Sequence, residues 1–173
     1  MKIKIQLFIL VILLAIIAAC SNETEILKST DNSFEINGDG YEKQKIHFDI
    51  FDPENNAIAV YNPRDDMTYI MIVGMKDEKN MLIDIHFKGG DTSIYNMCAY
   101  ENRSEIVIGD DRYYCVKGKI DVNDYGEEGD YVLGRFSGVF KRDVKSTVST
   151  KVEISFGEFK VKRIKDDLSK HKN

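Results

Sequence analysis

From residue 33 onward apolar side chains recur at every second position in short runs, and a turn signal ends each run before a helical period can develop. Ile46, Phe48 and Ile50 alternate with Lys45, His47 and Asp49, and Met81, Ile83, Ile85 and Phe87 alternate around Asp84 and His86. A period of two places alternate side chains on opposite faces, the mark of a half-buried strand. The same reading predicts strands over 33–37, 43–51, 57–61, 68–75, 81–87, 94–101, 105–108, 112–122, 131–141 and 151–164. Residues 68–75 (TYIMIVGM) are apolar throughout, which predicts a central strand covered on both faces. In 131–141, Val132, Phe136 and Phe140 share a face with Gly134 and Gly138 in register between them. In 151–164, Val152, Ile154 and Phe156 alternate with charge until Gly157 shifts the phase to Phe159 and Val161. Glycine inside a strand marks a bulge, a bend or a close approach of other backbone. The spacing predicts an all-β domain over 33–164, an antiparallel β-sandwich, with a closed lipocalin-like β-barrel as the alternative. Both alternate in the same way.

The first twenty residues have a different character. Lys2 and Lys4 precede an apolar stretch, Ile5–Ile17, interrupted only by Gln6, and Ala18-Ala19-Cys20 follows. A basic start, an apolar middle and small residues before a cleavage point describe a secretory signal peptide over 1–19. The run Ile17-Ala18-Ala19-Cys20 resembles the lipobox of bacterial lipoproteins. That resemblance implies that Cys20 is lipidated and becomes the mature N-terminus, a tether to the membrane. The rival reading, an uncleaved anchor, lacks a basic stop-transfer flank, since Ser21-Asn22-Glu23-Thr24-Glu25 is polar and acidic. Residues 20–32 read as a flexible tether and 165–173 as a basic C-terminal tail. Ser21 stands where an Asp would signal inner-membrane retention, so the expected location is the outer membrane of the cell envelope, with the exposed side left open.

Charge and cysteines narrow the partners. The leader holds two of the 24 basic residues and none of the 29 acidic ones, so the chain from Cys20 on carries 22 against 29, a net −7. An acidic body argues against nucleic acid, whose binders carry a basic patch or stripe. With Cys20 assigned to lipid, Cys98 and Cys115 remain, and two thiols in an exported chain are expected to pair. The other reading is two buried reduced cysteines behaving as small hydrophobes.

Two short passages carry a resemblance. Phe34-Glu35-Ile36-Asn37-Gly38 is similar to the opening of small lipoproteins common in Bacteroidetes. The run Gly134-Arg135-Phe136-Ser137-Gly138-Val139-Phe140, followed by Val152-Glu153-Ile154-Ser155-Phe156-Gly157-Glu158-Phe159, resembles their ending. Where that ending usually has Asn-Gly, this chain has Ser155-Phe156-Gly157. The resemblance implies a lipid-anchored β-sandwich domain of unassigned activity and carries over no catalytic residue.

Chemistry-bearing clusters are sparse. Asp121, Asn123 and Asp124 begin an acidic stretch that half-matches a calcium loop, but Tyr125 and Val132 occupy positions where the loop needs oxygen ligands. They are weak metal candidates, and a solvated hairpin loop is the plainer reading; no metal or other cofactor is expected. His47, His86 and His171 lie in no nucleophile or metal motif, although a triad with Ser93 or Ser137 is a spatial matter. Tyr95, Tyr100, Tyr113, Tyr114, Tyr125 and Tyr131 crowd the second half, as at an interface or simply as in strands. The expectation is a non-catalytic, membrane-tethered binding module whose protein or glycan partner is open; the alternative is a barrel that binds a small ligand or a cation.

Overall fold

In the computed structural model, residues 32–50, 52–99, 104–142 and 150–166 are described. The leader, Cys20, Tyr100 and His171 lie outside these residues. Chain order runs β1 (Ser33–Gly38), β2 (Tyr41–His47), a one-turn helix α1 (Pro53–Asn56), β3 (Ala57–Asn62), β4 (Met67–Lys76) and β5 (Lys79–Lys88). It continues through β6 (Ile94–Asn96), β7 (Glu105–Ile108), β8 (Asp111–Tyr125), β9 (Tyr131–Lys141) and β10 (Lys151–Arg163). Hairpins join most neighbours: β4 meets β5 with Ile70 opposite Ile85 and Ile72 opposite Ile83, and β8 meets β9 with Ile120 opposite Phe136.

What shapes the domain is β10, which is paired along both edges. One edge carries β9, from Lys151 opposite Lys141 to Lys162 opposite Tyr131. The other edge is shared. β1 takes the first half, from Asn37 opposite Glu153 to Ser33 opposite Glu158. Beyond it β3 pairs in parallel, Lys162 with Ile58 and Arg163 with Ala59, and Ile164 N donates to the Ala59 carbonyl at 2.9 Å. Between the two, the Asn32 side chain substitutes for a strand, donating to the Lys160 carbonyl (3.1 Å) and accepting from the Lys160 amide (2.9 Å).

The β3–β10 seam closes a ring of seven strands, β3–β4–β5–β7–β8–β9–β10. The all-β reading holds, and of its two architectures the chain takes the closed barrel. Alternation is indifferent to that choice; strand length and bulges decide it. β8 has 15 residues and β10 has 13, and both carry register shifts, at Cys115/Lys117 and Val122/Asp124 in β8 and between Ile154 and Gly157 in β10. A bulge increases local bend and twist, and long bent strands curl a sheet until its ends meet.

Several features differ from expectation, and the strand expected over 43–51 ends at His47, with Asp49 keeping only an isolated bridge to Met75. β6 stops at Asn96, because the chain turns there to bring Met97 inward. β8 runs on to Tyr125, so Asp121, Asn123 and Asp124 belong to a strand and not to a loop. β4 is covered on one face only: Thr68, Ile70 and Ile72 are wholly buried, whereas Tyr69 and Met71 are half-buried and Val73 is exposed. A closed barrel has a single interior, so its outer apolar residues stay partly wet.

That interior is filled by Phe34, Ile70, Ile83, Phe87, Phe140, Phe159 and their neighbours, all at or near zero exposure. A seven-stranded ring is narrow, and large residues fit only opposite small ones. Phe159 faces Gly134 and Phe136 faces Gly157 across the β9–β10 ladder. A Cβ on Gly134 would come within 2.6 Å of the Phe159 ring, and one on Gly157 within 2.4 Å of the Phe136 ring.

Candidate functional site

An open concavity lies outside the barrel, across the middle of β8, β9 and β10. It is an open groove of about 490 Å³ walled by Lys117, Lys119, Ser137, Val139, Glu153 and Ser155. A smaller hollow of about 210 Å³ continues it past Asp121, Arg135 and Phe156, sharing Lys119, Ser137 and Ser155.

Ladder pairing arranges the walls in rows. Tyr114, Lys141 and Lys151 stand side by side at one end. Next come Lys117, Val139 and Glu153, then Lys119 beside Ser137, and last Asp121, Arg135 and Glu158. The floor is backbone, where Gly118 and Gly138 sit opposite one another. Their missing side chains face inward, where a Cβ would meet the Met97 methyl at 2.4 and 3.0 Å. Met97 is 1% exposed, and the adjoining Cys98 is disulfide-bonded to Cys115 on β8, with Cα atoms 5.3 Å apart. The expected bridge is therefore present, and it fixes the plug that supports the groove floor. At the far end the β10 bulge turns Phe156 outward, 37% exposed, where the Arg135 guanidinium lies 5.5 Å from its ring centroid. Arg135 also meets Glu158 at 3.5 Å. The alternation of 152, 154 and 156 predicts Phe156 inside; the extra residue of the bulge sends it out.

The barrel ends are closed by polar networks. At one end Tyr113 Oη donates to Asp39 Oδ2 (2.6 Å), Arg142 Nε donates to the same oxygen (2.7 Å), and Arg142 Nη1 meets Asp111 at 2.9 Å. The Tyr113 hydroxyl and then Arg142 hold the Asp39 carboxyl below its ordinary pKa, against the opposing effect of burial. Burial, reinforced by Asp39, pushes the Tyr113 phenol well up. At the other end Thr68 Oγ1 donates to the Gly89 carbonyl (2.5 Å) and so accepts from Tyr125 Oη (2.8 Å). Arg163 lies 4.9 Å over the Tyr125 ring, donating to the Gly126 carbonyl (2.7 Å) and to Asp166 (3.0 Å). Tyr95 stacks on Phe87 and bonds to Asp91, and burial raises its pKa to about 12. Tyr95, Tyr113 and Tyr125 thus serve the barrel, while Tyr131 is exposed beneath Lys160 and Lys162.

The remaining candidates do not converge. His86 Nε2 lies 2.8 Å from Asp84 Oδ1 on the outer face of β5, and its ring meets Tyr69 edge-on. Ser104, which accepts from the His86 amide, is wholly buried and donates its proton to the Met97 carbonyl (2.6 Å), so it is a structural link. Ser137 lies on β9, three strands around the ring from His86, and Ser93 precedes β6, where its carbonyl accepts from Val122 N. His47 is exposed on β2. Asp121 is opposite Arg135, Asn123 and Asp124 are exposed at the β8 bulge, and among the described residues no group of three His, Cys, Asp or Glu is placed to hold a metal ion.

Of the groove residues, the amino-acid pattern marks Ser137 and Asp121 as polar candidates but for other chemistry. Lys117, Lys119, Glu153 and Phe156 carry no motif; only the ladder register assembles them. Comparisons with family models, curated proteins and solved structures found no match to this chain.

Proposed function

We propose that this protein is a non-catalytic binding module of the bacterial cell envelope, tethered through lipid on Cys20, that receives its partner in the groove on the outer face of β8–β9–β10. One observation carries the reading: the barrel interior is filled with side chains, while the outer face holds an open groove of about 490 Å³, within the size range of ligand sites. The groove lies on strands whose backbone groups are already paired on both sides. Recognition there runs through side chains and not through addition of a strand. The disulfide and Met97 behind the floor supply rigidity without a role in chemistry.

Affinity electrophoresis against a panel of soluble polysaccharides and peptides tests it. At least one of them is expected to retard the wild-type domain, and Ser137→Trp with Ser155→Trp, which fills the groove from a half-buried and an exposed position on its wall, is expected to abolish the retardation. Retardation that survives the filled groove, or none with any member of the panel, would refute the assignment.

A further inference from the structure

We infer that the groove takes an anionic glycan, a saccharide chain bearing carboxylate or sulfate groups; this rests on the groove being the binding surface. The first argument is unbalanced charge. The chain from Cys20 on is acidic, at 22 basic against 29 acidic residues, yet the rows of the groove set Lys117, Lys119, Lys141, Lys151 and Arg135 against Asp121, Glu153 and Glu158, a local excess of positive charge. None of the four lysines is in an ion pair among the described residues; away from the groove, Lys43, Lys76 and Lys162 each meet a carboxylate, and Lys79 and Lys88 on β5 do not. Lys141 and Lys151 are direct cross-strand partners. Like charges directly opposite one another destabilise a ladder. Lys141 and Lys151 stand one row beyond the groove lining, and an anionic chain that runs on past Lys117 would relieve that repulsion.

The second argument is the character of the walls. Phe156 offers an exposed ring face at one end, with the flat Arg135 guanidinium beside it. Ser137 and Ser155 place hydroxyls at mid-groove, and Glu153 and Asp121 place acceptors along it. Sugar rings present apolar faces for an aromatic and hydroxyls that donate and accept in turn. An acidic peptide would instead find its backbone partners at an open strand edge, such as that of β2, and the groove has none.

The test measures retardation of the wild-type domain by polygalacturonate, dextran sulfate, neutral dextran, poly-glutamate and single-stranded DNA. The two acidic polysaccharides are expected to bind and neutral dextran not to bind. Lys117→Glu with Lys119→Glu should weaken that binding about tenfold or more, Lys117→Arg with Lys119→Arg should preserve it, and Lys79→Glu with Lys88→Glu, on exposed ends of β5, should leave it unchanged. Raising salt should weaken it as charge screening strengthens. Lysine-dependent binding of poly-glutamate or DNA without the polysaccharides would overturn the glycan assignment. Binding of neutral dextran that the filled groove blocks but the lysine reversal spares would overturn the charge argument and leave the groove standing as the site. Absence of any groove-dependent binding would overturn both.

Discussion

Asp39 shows how one carboxylate can organise a barrel end. It occupies the turn between β1 and β2 and accepts from both Tyr113 and Arg142, so a side chain early in the sequence fixes the start of β8 and the end of β9. Its folded pKa is lowered, so the unfolded chain binds more protons as pH falls, and stability rises with pH through this group. The contribution is complete above about pH 5, where an ordinary Asp with a pKa of about 3.9 is already ionised, and is lost as pH falls through the lowered folded value. Asp39→Asn is expected to cost about 1–2 kcal/mol at neutral pH, the difference between charge-assisted and neutral bonds. Urea melts of the two proteins should therefore lie apart at pH 7 and converge towards pH 3. A gap that stays constant with pH would mean that the carboxylate's charge is not what Tyr113 and Arg142 read.

The strands that build the groove are also those on which packing is tightest. Gly134 and Gly157 both face large rings, but their surroundings differ in what can yield. A Cβ on Gly134 would approach the Asp121 carbonyl oxygen to 2.3 Å, and ladder backbone cannot swing aside. A Cβ on Gly157 would meet only the Phe136 ring, at 2.4 to 2.7 Å. Overpacking of this kind costs about 1–3 kcal/mol. Gly157→Ala should fall within that range and Gly134→Ala at or above its upper end, as read from denaturant midpoints at unchanged slope. The reverse order would show that β9 shifts more easily than the Phe136 ring.

The inner faces of these strands were legible from alternation alone. Val132, Phe136 and Phe140 are buried, as are Met81, Ile83, Ile85 and Phe87, because a side chain's face depends only on the parity of its position. Parity fails at a bulge. Gly157 signals the phase shift, but not on which side of it Phe156 falls, and Phe156 is the aromatic of the groove. Lys117 and Lys119 read as ordinary surface lysines until register sets them beside Val139, Ser137 and, on β10, Glu153. Register depends on strands distant in sequence, and no local pattern encodes it. The disulfide was legible for a different reason: in a chain read as exported, with Cys20 assigned to lipid, Cys98 and Cys115 were the two cysteines left to pair, the other reading being two buried thiols. Its loop, closed over a separation of 17 residues, contributes about 3 kcal/mol on the chain-entropy estimate.

Tether and barrel divide the labour of the proposed envelope module. In that proposal lipid on Cys20 would supply attachment, about 0.8 kcal/mol for each buried methylene, and the barrel would supply the groove. Cys20→Ser should abolish labelling by a fatty-acid probe and leave unprocessed precursor, while the domain keeps its melting temperature. Undiminished labelling would place the anchor elsewhere.

The seam between β3 and β10 has a consequence in time. A ribosome makes β3 about a hundred residues before its partner, since Ile58 pairs with Lys162, and β1 likewise precedes its partner, with Asn37 opposite Glu153. Hairpins such as β4–β5 can form as they emerge, but the ring has no closing strand until nearly the whole chain has been synthesised. Contacts so far apart in sequence are slow to form, because the entropy of loop closure is lost before any contact offsets it. Until then the edges of β3 and β1 that β10 will take remain unpaired, with Phe34, Ala57 and Ala59 not yet covered. This protein therefore stays an open, adhesive chain for most of its synthesis, and a nascent copy depends on whatever shields those edges until its last strand arrives.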